Sequence, residues 1–438
     1  MKKVCCVLLS ALSIVSTSAI ALAADVSVET TTLLGIAQRD VSGASKENIL
    51  PATQFFGLQA DSLADGNLSL HIYGWGRTDM GDRSYSTDKN SGNLTYAYVQ
   101  YAPDYANASV RAGRFFVREG IINEQLDGLN ARTDLPAGLG LSVFGGATVH
   151  TAKLVGEGSD GKGDTLYGGR LNYRYRGMLE VGVSGVFESE APELIAHPAA
   201  NYRRIGADVW LAPLKTVDVI GHSSYNPETK KMAEHSYLLN YKPAREIVLT
   251  GEFNQHLEQS YLYAWTMFSG ATLNPDYRST SFGLSASYEI NKALEVAADY
   301  KHYEREFGGA NRFGGDMRVH YKDNTIRGGV GYHYLGADEG FSITPYTSAS
   351  YHELRCYTMR DSKNYFTAID LLGNFFEQKI YGKSSAWEAN ASVGYHITPG
   401  LALSGDLSYG RNPQFIEEVK TILRLTYNMN YPGIGGKK

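Results

Sequence analysis

The sequence predicts an all-β fold in which about 22 antiparallel strands, with about 16 to 24 as the acceptable range, close into a single transmembrane β-barrel. Three observations lead to this prediction. Apolar and polar residues alternate along most of the chain, the connections alternate in length, and tyrosine and glycine are abundant. Helical spacing of apolar residues is nearly absent, which argues against helical and mixed α/β enzyme folds.

The alternation has a period of two residues and is clearest in segments of roughly ten residues. Ile247, Leu249 and Phe253 alternate with polar neighbours that include Glu252 and His256. The same pattern recurs in 294–301, 387–396, 401–408 and 423–430. Because successive side chains of a strand point to opposite faces, each segment is predicted to contact an apolar environment on one face and water on the other.

The strand number follows from the count of such segments. About twenty lie between Asn67 and the end of the chain, and 53–61 adds one more. Bacterial single-chain barrels favour even numbers, so parity predicts a further strand near 29–38. Two stretches, 367–376 and 416–423, fit either a short loop helix or an irregular strand.

The connections between these strands differ in length. Tight turns are predicted at 102–104, 135–138, 176–177, 212–213, 242–244, 289–292, 322–324 and 398–400. Longer polar or glycine-rich loops are predicted at 78–92, 151–164, 188–201, 257–277 and 304–312. Transmembrane barrels have short periplasmic turns and long extracellular loops, so this order supports a barrel.

Composition favours the same fold. The 438 residues include 31 tyrosines and 47 glycines but 13 prolines. Tyrosine suits the aromatic girdles of a barrel, where the ring contacts lipid while the hydroxyl stays hydrated. The mean hydropathy of −0.27 and the lack of a second long apolar run argue against membrane-spanning helices, whereas alternating strands average to mild polarity.

The N-terminus has the layout of a secretory signal peptide. Lys2 and Lys3 precede an apolar run over 4–20 that ends in the small-residue triplet 21–23. We therefore expect two segments, a signal peptide at 1–23 and one barrel domain at 24–438. Cys5 and Cys6 lie in the signal segment, which leaves Cys356 as the one cysteine of the mature chain and excludes a disulfide framework or covalent haem attachment.

Charge and motifs exclude several functions. The formal net charge is −5, which makes nucleic acid an unsuitable partner. The sequence has no Cys-x-x-Cys-His, no paired histidines on one helix face and no Gly-x-Ser-x-Gly, so no catalytic residues, metal ligands or cofactors are predicted. Five histidines are candidates for a catalytic site at the rim, and they are predicted to be hydrated pore residues instead; they are His256, His302, His320, His333 and His396.

Charged and polar residues on the polar side of the alternating strands are predicted to line a pore. They are Glu252, His256, Asp299, Lys301, Arg318, Glu388, Asp406 and Arg424. Arginine or lysine on the lipid side would cost roughly 2–4 kcal/mol near the bilayer midplane. Both signs of charge occur, so the sequence predicts no preference between anions and cations.

A second group of charges lies between 113 and 132, where a strand ends in two arginines and the next begins with an acid. It comprises Arg114, Arg118, Glu119, Asp127 and Arg132. A folded-in loop with opposed charges sets an electric field across a narrowed lumen and selects solutes by charge and size. The segment is therefore predicted to constrict the pore, and a solvated loop with a structural salt bridge is the alternative.

With these elements in place, the chain resembles the porin-like outer-membrane barrels of Gram-negative bacteria along nearly its whole mature length. Residues 113–120 and 127–129 are similar to a segment of barrels from metal-respiring bacteria, some of them encoded beside multihaem cytochromes. The resemblance implies an integral outer-membrane protein in contact with lipid. Many such barrels end on an aromatic residue, whereas here Tyr431 is followed by a short extension.

Three functions remain open. The leading expectation is passive diffusion of small hydrophilic solutes or ions through the pore. The second is a sheath that encloses a multihaem cytochrome and so carries electrons across the membrane. The third is a rim-site hydrolase or an adhesin-like surface barrel. No plug domain precedes the predicted strands, which argues against energy-coupled uptake.

Overall fold

A computed structural model describes residues 25–41, 47–81, 89–149, 165–189, 202–228, 230–256, 278–305, 308–338, 350–413 and 415–431. In these residues the chain forms 23 strands, and a short 3-10 turn at Pro136–Gly138 is the one helical element. Within the same ranges, no helix is long and apolar enough to cross a membrane. The predicted signal peptide lies outside the described residues.

The strands follow one another along the chain as antiparallel neighbours. They are β1 Asp25–Val41, β2 Glu47–Ile49, β3 Pro51–Leu63, β4 Leu68–Asp79, β5 Asn90–Tyr101, β6 Ala108–Glu119, β7 Ile122–Asp134, β8 Leu139–Thr148, β9 Leu166–Tyr175, β10 Leu179–Glu188, β11 Tyr202–Leu214, β12 Val217–Asn226, β13 Lys231–Ala244, β14 Ile247–His256, β15 Ser279–Asn291, β16 Leu294–Arg305, β17 Gly308–Tyr321, β18 Ile326–Ala337, β19 Tyr351–Asp361, β20 Tyr365–Ile380, β21 Lys383–Thr398, β22 Leu401–Arg411 and β23 Phe415–Tyr431.

The sheet closes on itself because β1 pairs with β3 on one side and with β23 on the other. The short β2 continues the pairing of β3 with β1 in the same register, with Ala37 opposite Ile49 and Leu34 opposite Ala52. The two segments therefore form one strand of the wall, interrupted next to Pro51. The result is a closed barrel of 22 strands, as predicted, and β1 includes the strand that parity placed near 29–38.

Large apolar side chains cover the outer face of the barrel. Leu371 of β20 and Leu407 of β22 are 47% and 49% exposed, and their polar neighbours Asp370, Asp406 and Ser408 point to the other face. Exposed apolar side chains recur on the same face of strand after strand around the sheet. An apolar surface of this extent is typical of contact with hydrocarbon, and a closed barrel leaves no strand edge unpaired there.

Two of the predicted turns are wrong. Pro213 and Pro243 do not lie in turns but inside β11 and β13, and each is next to a register shift, at Leu211/Leu214 and Tyr241/Ala244. A proline has no backbone N–H to donate, so it is tolerated where a bulge interrupts the pairing. The turns follow at 215–216 and 245–246.

Some predicted loops also differ from the structure. The long loop at 304–312 is wrong, since β16 continues to Arg305 and β17 begins at Gly308. The loop at 78–92 is shorter than predicted, because strands occupy both of its ends. The stretches 367–376 and 416–423 lie in strands β20 and β23. The loops 151–164 and 257–277, and most of 188–201, lie outside the described residues.

Candidate functional site

The hairpin formed by β6 and β7 leaves the barrel wall near the turn that joins these two strands. β5 pairs with β6 only between Ala97–Tyr101 and Val110–Arg114. On the other side, the pairing of β7 with β8 begins at Leu126. Residues 115–124, the inward tip, therefore pair with each other but with neither neighbouring strand.

The inward tip packs against the inside of the barrel wall. Phe115 and Val117 are 0% exposed and form an apolar cluster with Phe144 of β8, Leu166 of β9 and Val186 of β10. These wall residues lie on the face opposite the exposed apolar belt, which is the lumen side. Full burial of each large apolar side chain contributes roughly 1.5–3 kcal/mol, which favours the docked position.

The turn of the inward tip reaches still further round the wall, to β10 and β11. The backbone N–H of Ile121 donates to Ser184 Oγ at 3.2 Å. A Cβ atom on Gly206 would lie 2.7 Å from Ile121 Cγ2, and one on Gly120 would lie 2.6 Å from Asp208 Oδ2. Glycine is therefore needed on both sides of this contact. The inward tip as a whole crosses the inner surface of β8, β9, β10 and β11.

Two glycines allow the hairpin to bend out of the wall. A Cβ atom on Gly113 of β6 would lie 2.2 Å from the carbonyl oxygen of Ala97, and Gly113 has a φ of +124°. A Cβ atom on Gly128 of β7 would lie 2.1 Å from the carbonyl oxygen of Gly145. The backbones approach so closely here that no side chain fits at either position.

We expect Gly113→Ala to destabilise the folded barrel more than Gly66→Ala. Gly66 also has a positive φ, +93°, but no atom lies within 4 Å of its Cβ position, so the control carries only the conformational cost of about 1–3 kcal/mol. Urea unfolding of the refolded variants measures the difference. Equal losses for the two variants would contradict the close approach at Gly113.

Side chains from the hairpin satisfy the edge of β5 that the bend exposes. Arg114 Nη1 donates to the carbonyl oxygen of Leu94 at 3.2 Å, and Gln125 Nε2 donates to that of Thr95 at 2.6 Å. Strand carbonyls without a partner are costly in a membrane protein. Arg114 also forms a two-pronged ion pair with Asp127 at 2.7 Å, so part of the predicted charge cluster supports the structure.

The structure places the five charges predicted between 113 and 132 around the inward tip. Besides the Arg114–Asp127 pair, Glu119 at the end of the tip lies 3.9 Å from Arg132 in the wall. Arg118 is exposed, with its guanidinium 5.2 Å from the Phe116 ring centroid. Phe116 and Arg118 alternate with the buried Phe115 and Val117, so they lie on the face of the tip that is turned away from the wall, towards the lumen.

The charged and polar residues predicted to line the pore each contact a polar partner on another strand of the wall. The pairs are Glu252–Lys301, His256–Glu234, Asp299–Arg312, Arg318–Glu295, Glu388–Ser408 and Asp406–Arg424. All lie on the face opposite the apolar belt. Paired charges of both signs keep this surface hydrated, and their effect on passing solutes stays a prediction.

Sequence reasoning missed two charge clusters on the wall around the inward tip. Arg170 Nη2 contacts Glu180 at 2.9 Å and also pairs with Asp208. Arg204, 3% exposed, lies 2.8 Å from Glu234 of β13. The period-2 pattern of β9 to β11 already puts these charges on the polar face, so extending the alternation to these strands would have found them.

One group of side chains on the inner wall has the composition of a metal site. Ligand atoms of Asp299, Asp316 and His333 lie within 4.8 Å of one another. Arg312 lies 2.8 Å from Asp299, however, and Arg318 lies 3.9 Å from Asp316. The arginines already balance these carboxylates, so the cluster is explained as part of the ion-paired wall.

Comparison with known proteins supports the architecture. No known family model and no curated protein matches the sequence. A solved variant of the ferric enterobactin receptor PfeA from Pseudomonas aeruginosa is similar in structure over 91% of this chain and 80% of its own, with a TM-score of 0.55 at 9% identity. This chain has the fold of an outer-membrane β-barrel.

Two further solved structures are similar over nearly their full lengths. OpdK from Pseudomonas aeruginosa covers 93% of this chain and 99% of its own, with a TM-score of 0.46 and 10% identity. OccAB4 from Acinetobacter baumannii covers the same shares, with a TM-score of 0.43 and 11% identity. The closed wall and the apolar belt of this chain fit an integral location in the outer membrane.

Proposed function

We propose that this outer-membrane barrel is a porin-like channel through which small hydrophilic solutes or ions diffuse passively. The observation that carries the proposal is a hydrated, charged inner wall narrowed by one hairpin from the same chain. Barrels of this strand number are wide enough for an aqueous channel, and the inward tip docks on one side of the inner wall. Diffusion needs no bond-making step and no catalytic group.

The experiment that tests this function is conductance in planar lipid bilayers. The purified, folded chain is expected to insert and give discrete current steps in potassium chloride, because an open channel lined by charged groups conducts ions. A folded preparation that inserts into vesicles but gives no current steps would contradict an open channel.

We expect Arg118→Glu to shift the ion selectivity towards cations, with a several-fold change in the permeability ratio. Arg118 lies on the exposed face of the inward tip, and a single charge at a constriction has a large influence on the field in the pore. Zero-current potentials across a potassium chloride gradient measure the ratio. Arg176→Glu, in the tight turn between β9 and β10, is the matched charge reversal and should have a much smaller effect.

The alternative function, a sheath around a multihaem cytochrome, gains no support from the described residues or from the comparisons. The inward tip occupies lumen space that an enclosed partner would need. Gentle solubilisation followed by haem staining tests the alternative directly. A haem protein that repeatedly co-purifies with the barrel would favour the sheath over the channel.

A further inference from the structure

Five aromatic side chains from four adjacent strands form a continuous series on the inner wall. In order they are Phe55 of β3, Tyr73 of β4, Tyr96 and Tyr98 of β5, and Phe115 of β6. The successive ring centroids are 6.5, 5.6, 5.9 and 6.3 Å apart. We refer to these five residues as the aromatic track.

The first four rings of the aromatic track face the lumen and remain accessible. Tyr96 and Tyr98 lie on the face opposite Leu94 and Val99, which are exposed on the apolar belt at 42% and 39%. Neither tyrosine is buried, and the same holds for Phe55 and Tyr73. Tyr98 packs against the apolar cluster of the inward tip, whereas Phe55, Tyr73 and Tyr96 do not belong to that cluster.

Polar groups border the rings. Glu29, Gly57, Tyr73 and Tyr96 occupy one row across four strands, and the Glu29 side chain extends over Gly57, where a Cβ atom would be 2.6 Å from Glu29 Cγ. In the next row Gln59 is opposite His71, and the imidazole of His71 stacks 4.8 Å from the Tyr98 ring centroid. Flat apolar faces therefore lie beside hydrogen-bonding groups.

The surrounding charges select the class of ligand. The guanidinium of Arg111 already lies 6.0 Å from the Tyr98 ring centroid and 5.3 Å from that of Phe115, which disfavours an organic cation on these rings. The carboxylate of Glu29 at the other edge disfavours an anion. A neutral ligand with both an apolar face and hydroxyl groups fits the two constraints, and a sugar ring has this chemistry.

We propose that the aromatic track binds unbranched oligosaccharides of six-membered sugar rings. The C–H faces of successive sugars stack on the rings of Phe55, Tyr73 and Tyr96, whose spacings of 6.5 and 5.6 Å are close to the repeat of such a chain. The sugar hydroxyls bond to Glu29, Gln59 and His71. The proposal rests on the proposed channel function, because it names the class of solute that the lumen recognises.

Titration calorimetry with maltohexaose and cellohexaose on the folded full barrel in detergent tests the proposal. At least one sugar is expected to bind, and Tyr73→Ala and Tyr96→Ala should each weaken binding about tenfold, since each removes one stacking face. Tyr73→Phe keeps the ring and should bind nearly as well as the unchanged chain. Tyr357→Ala is the matched control, because Tyr357 lies on β19, away from the track.

Several outcomes would overturn the proposal. They are the absence of binding for both sugars, binding that neither alanine variant weakens while both fold, and binding of choline or benzoate in place of the sugars. Calorimetry does not depend on ion flow, so failure of the channel and failure of the track are distinguishable. Sugar binding without current steps would refute the channel, and current steps without sugar binding would refute the track.

Discussion

Replacing residues 116–125 by an Asn-Gly turn is expected to raise the single-channel conductance several-fold. Phe115 and Leu126 are directly opposite each other in the hairpin, so a two-residue turn closes it at that point without disturbing the register. The replacement removes most of the inward tip. The wall below keeps its pairing with β5 and β8, and we expect the barrel still to fold.

Planar-bilayer recordings compare this variant with the unchanged chain at the same salt concentration. Replacing Tyr381 and Gly382 by Asn-Gly is the matched control, since it changes a two-residue turn at the same end of the barrel that lies outside the inward tip. The control should leave the conductance unchanged. If the shortened hairpin also left it unchanged, the inward tip would not be the constriction.

Leu371→Arg is expected to destabilise the membrane-inserted barrel by roughly 2–4 kcal/mol, the cost of an arginine on the lipid face near the midplane. Leu371 lies near the middle of β20 and belongs to the exposed apolar belt. Its neighbour Leu372 points to the other face and is directly opposite Glu388 of β21. An arginine at 372 therefore gains Glu388 as a carboxylate partner in water, and Arg355 on its other side is already paired with Asp370.

The comparison of Leu371→Arg with Leu372→Arg isolates the face of the sheet, because the two changes are identical and adjacent. Unfolding from lipid vesicles measures the free energy of each variant. We expect a large loss for the first and a loss below about 1 kcal/mol for the second, as for an exposed ion pair. Equal losses of unfolding free energy would contradict a sheet with lipid on one face and water on the other.

The two-residue alternation of apolar and polar residues was sufficient to predict the fold class and the strand number. Two-residue alternation is a local property, and a lipid face next to a water face imposes it directly on segments such as 246–256. The same pattern put Asp299 and Arg424 on the polar side of their strands, where the structure has them. A strand's faces follow from its own sequence, without knowledge of its neighbours.

Contacts between distant residues could not be predicted in this way. Charges between 113 and 132 suggested a constriction, but the contact of Ile121 with Ser184 joins the turn between β6 and β7 to β10, which is not a neighbour of either strand. The apolar residues of the inward tip continue the ordinary strand alternation, so nothing local marks them as leaving the wall. The aromatic track likewise depends on the register of four strands, which the sequence does not state.

Turn residues misled the prediction in a few places for a physical reason. Pro213 and Pro243 are typical turn residues, yet each lies within a strand next to a bulge that does not need its missing N–H. Glycine at Gly308 suggested a loop, although β17 begins there. Composition alone does not distinguish a turn from an irregular strand end.

The most direct test of the account uses Cys356, the one thiol of a chain expressed from Ala24 onward. Cys356 lies on β19 opposite Val330 and Leu371, in the apolar belt. A nitroxide label there, in lipid vesicles, should collide with dissolved oxygen and be protected from a water-soluble nickel complex. The same label on Arg355→Cys, in a chain that also carries Cys356→Ser, should collide with the nickel complex and be protected from oxygen. Equal access of the nickel complex to both positions would contradict a barrel with lipid outside and water inside.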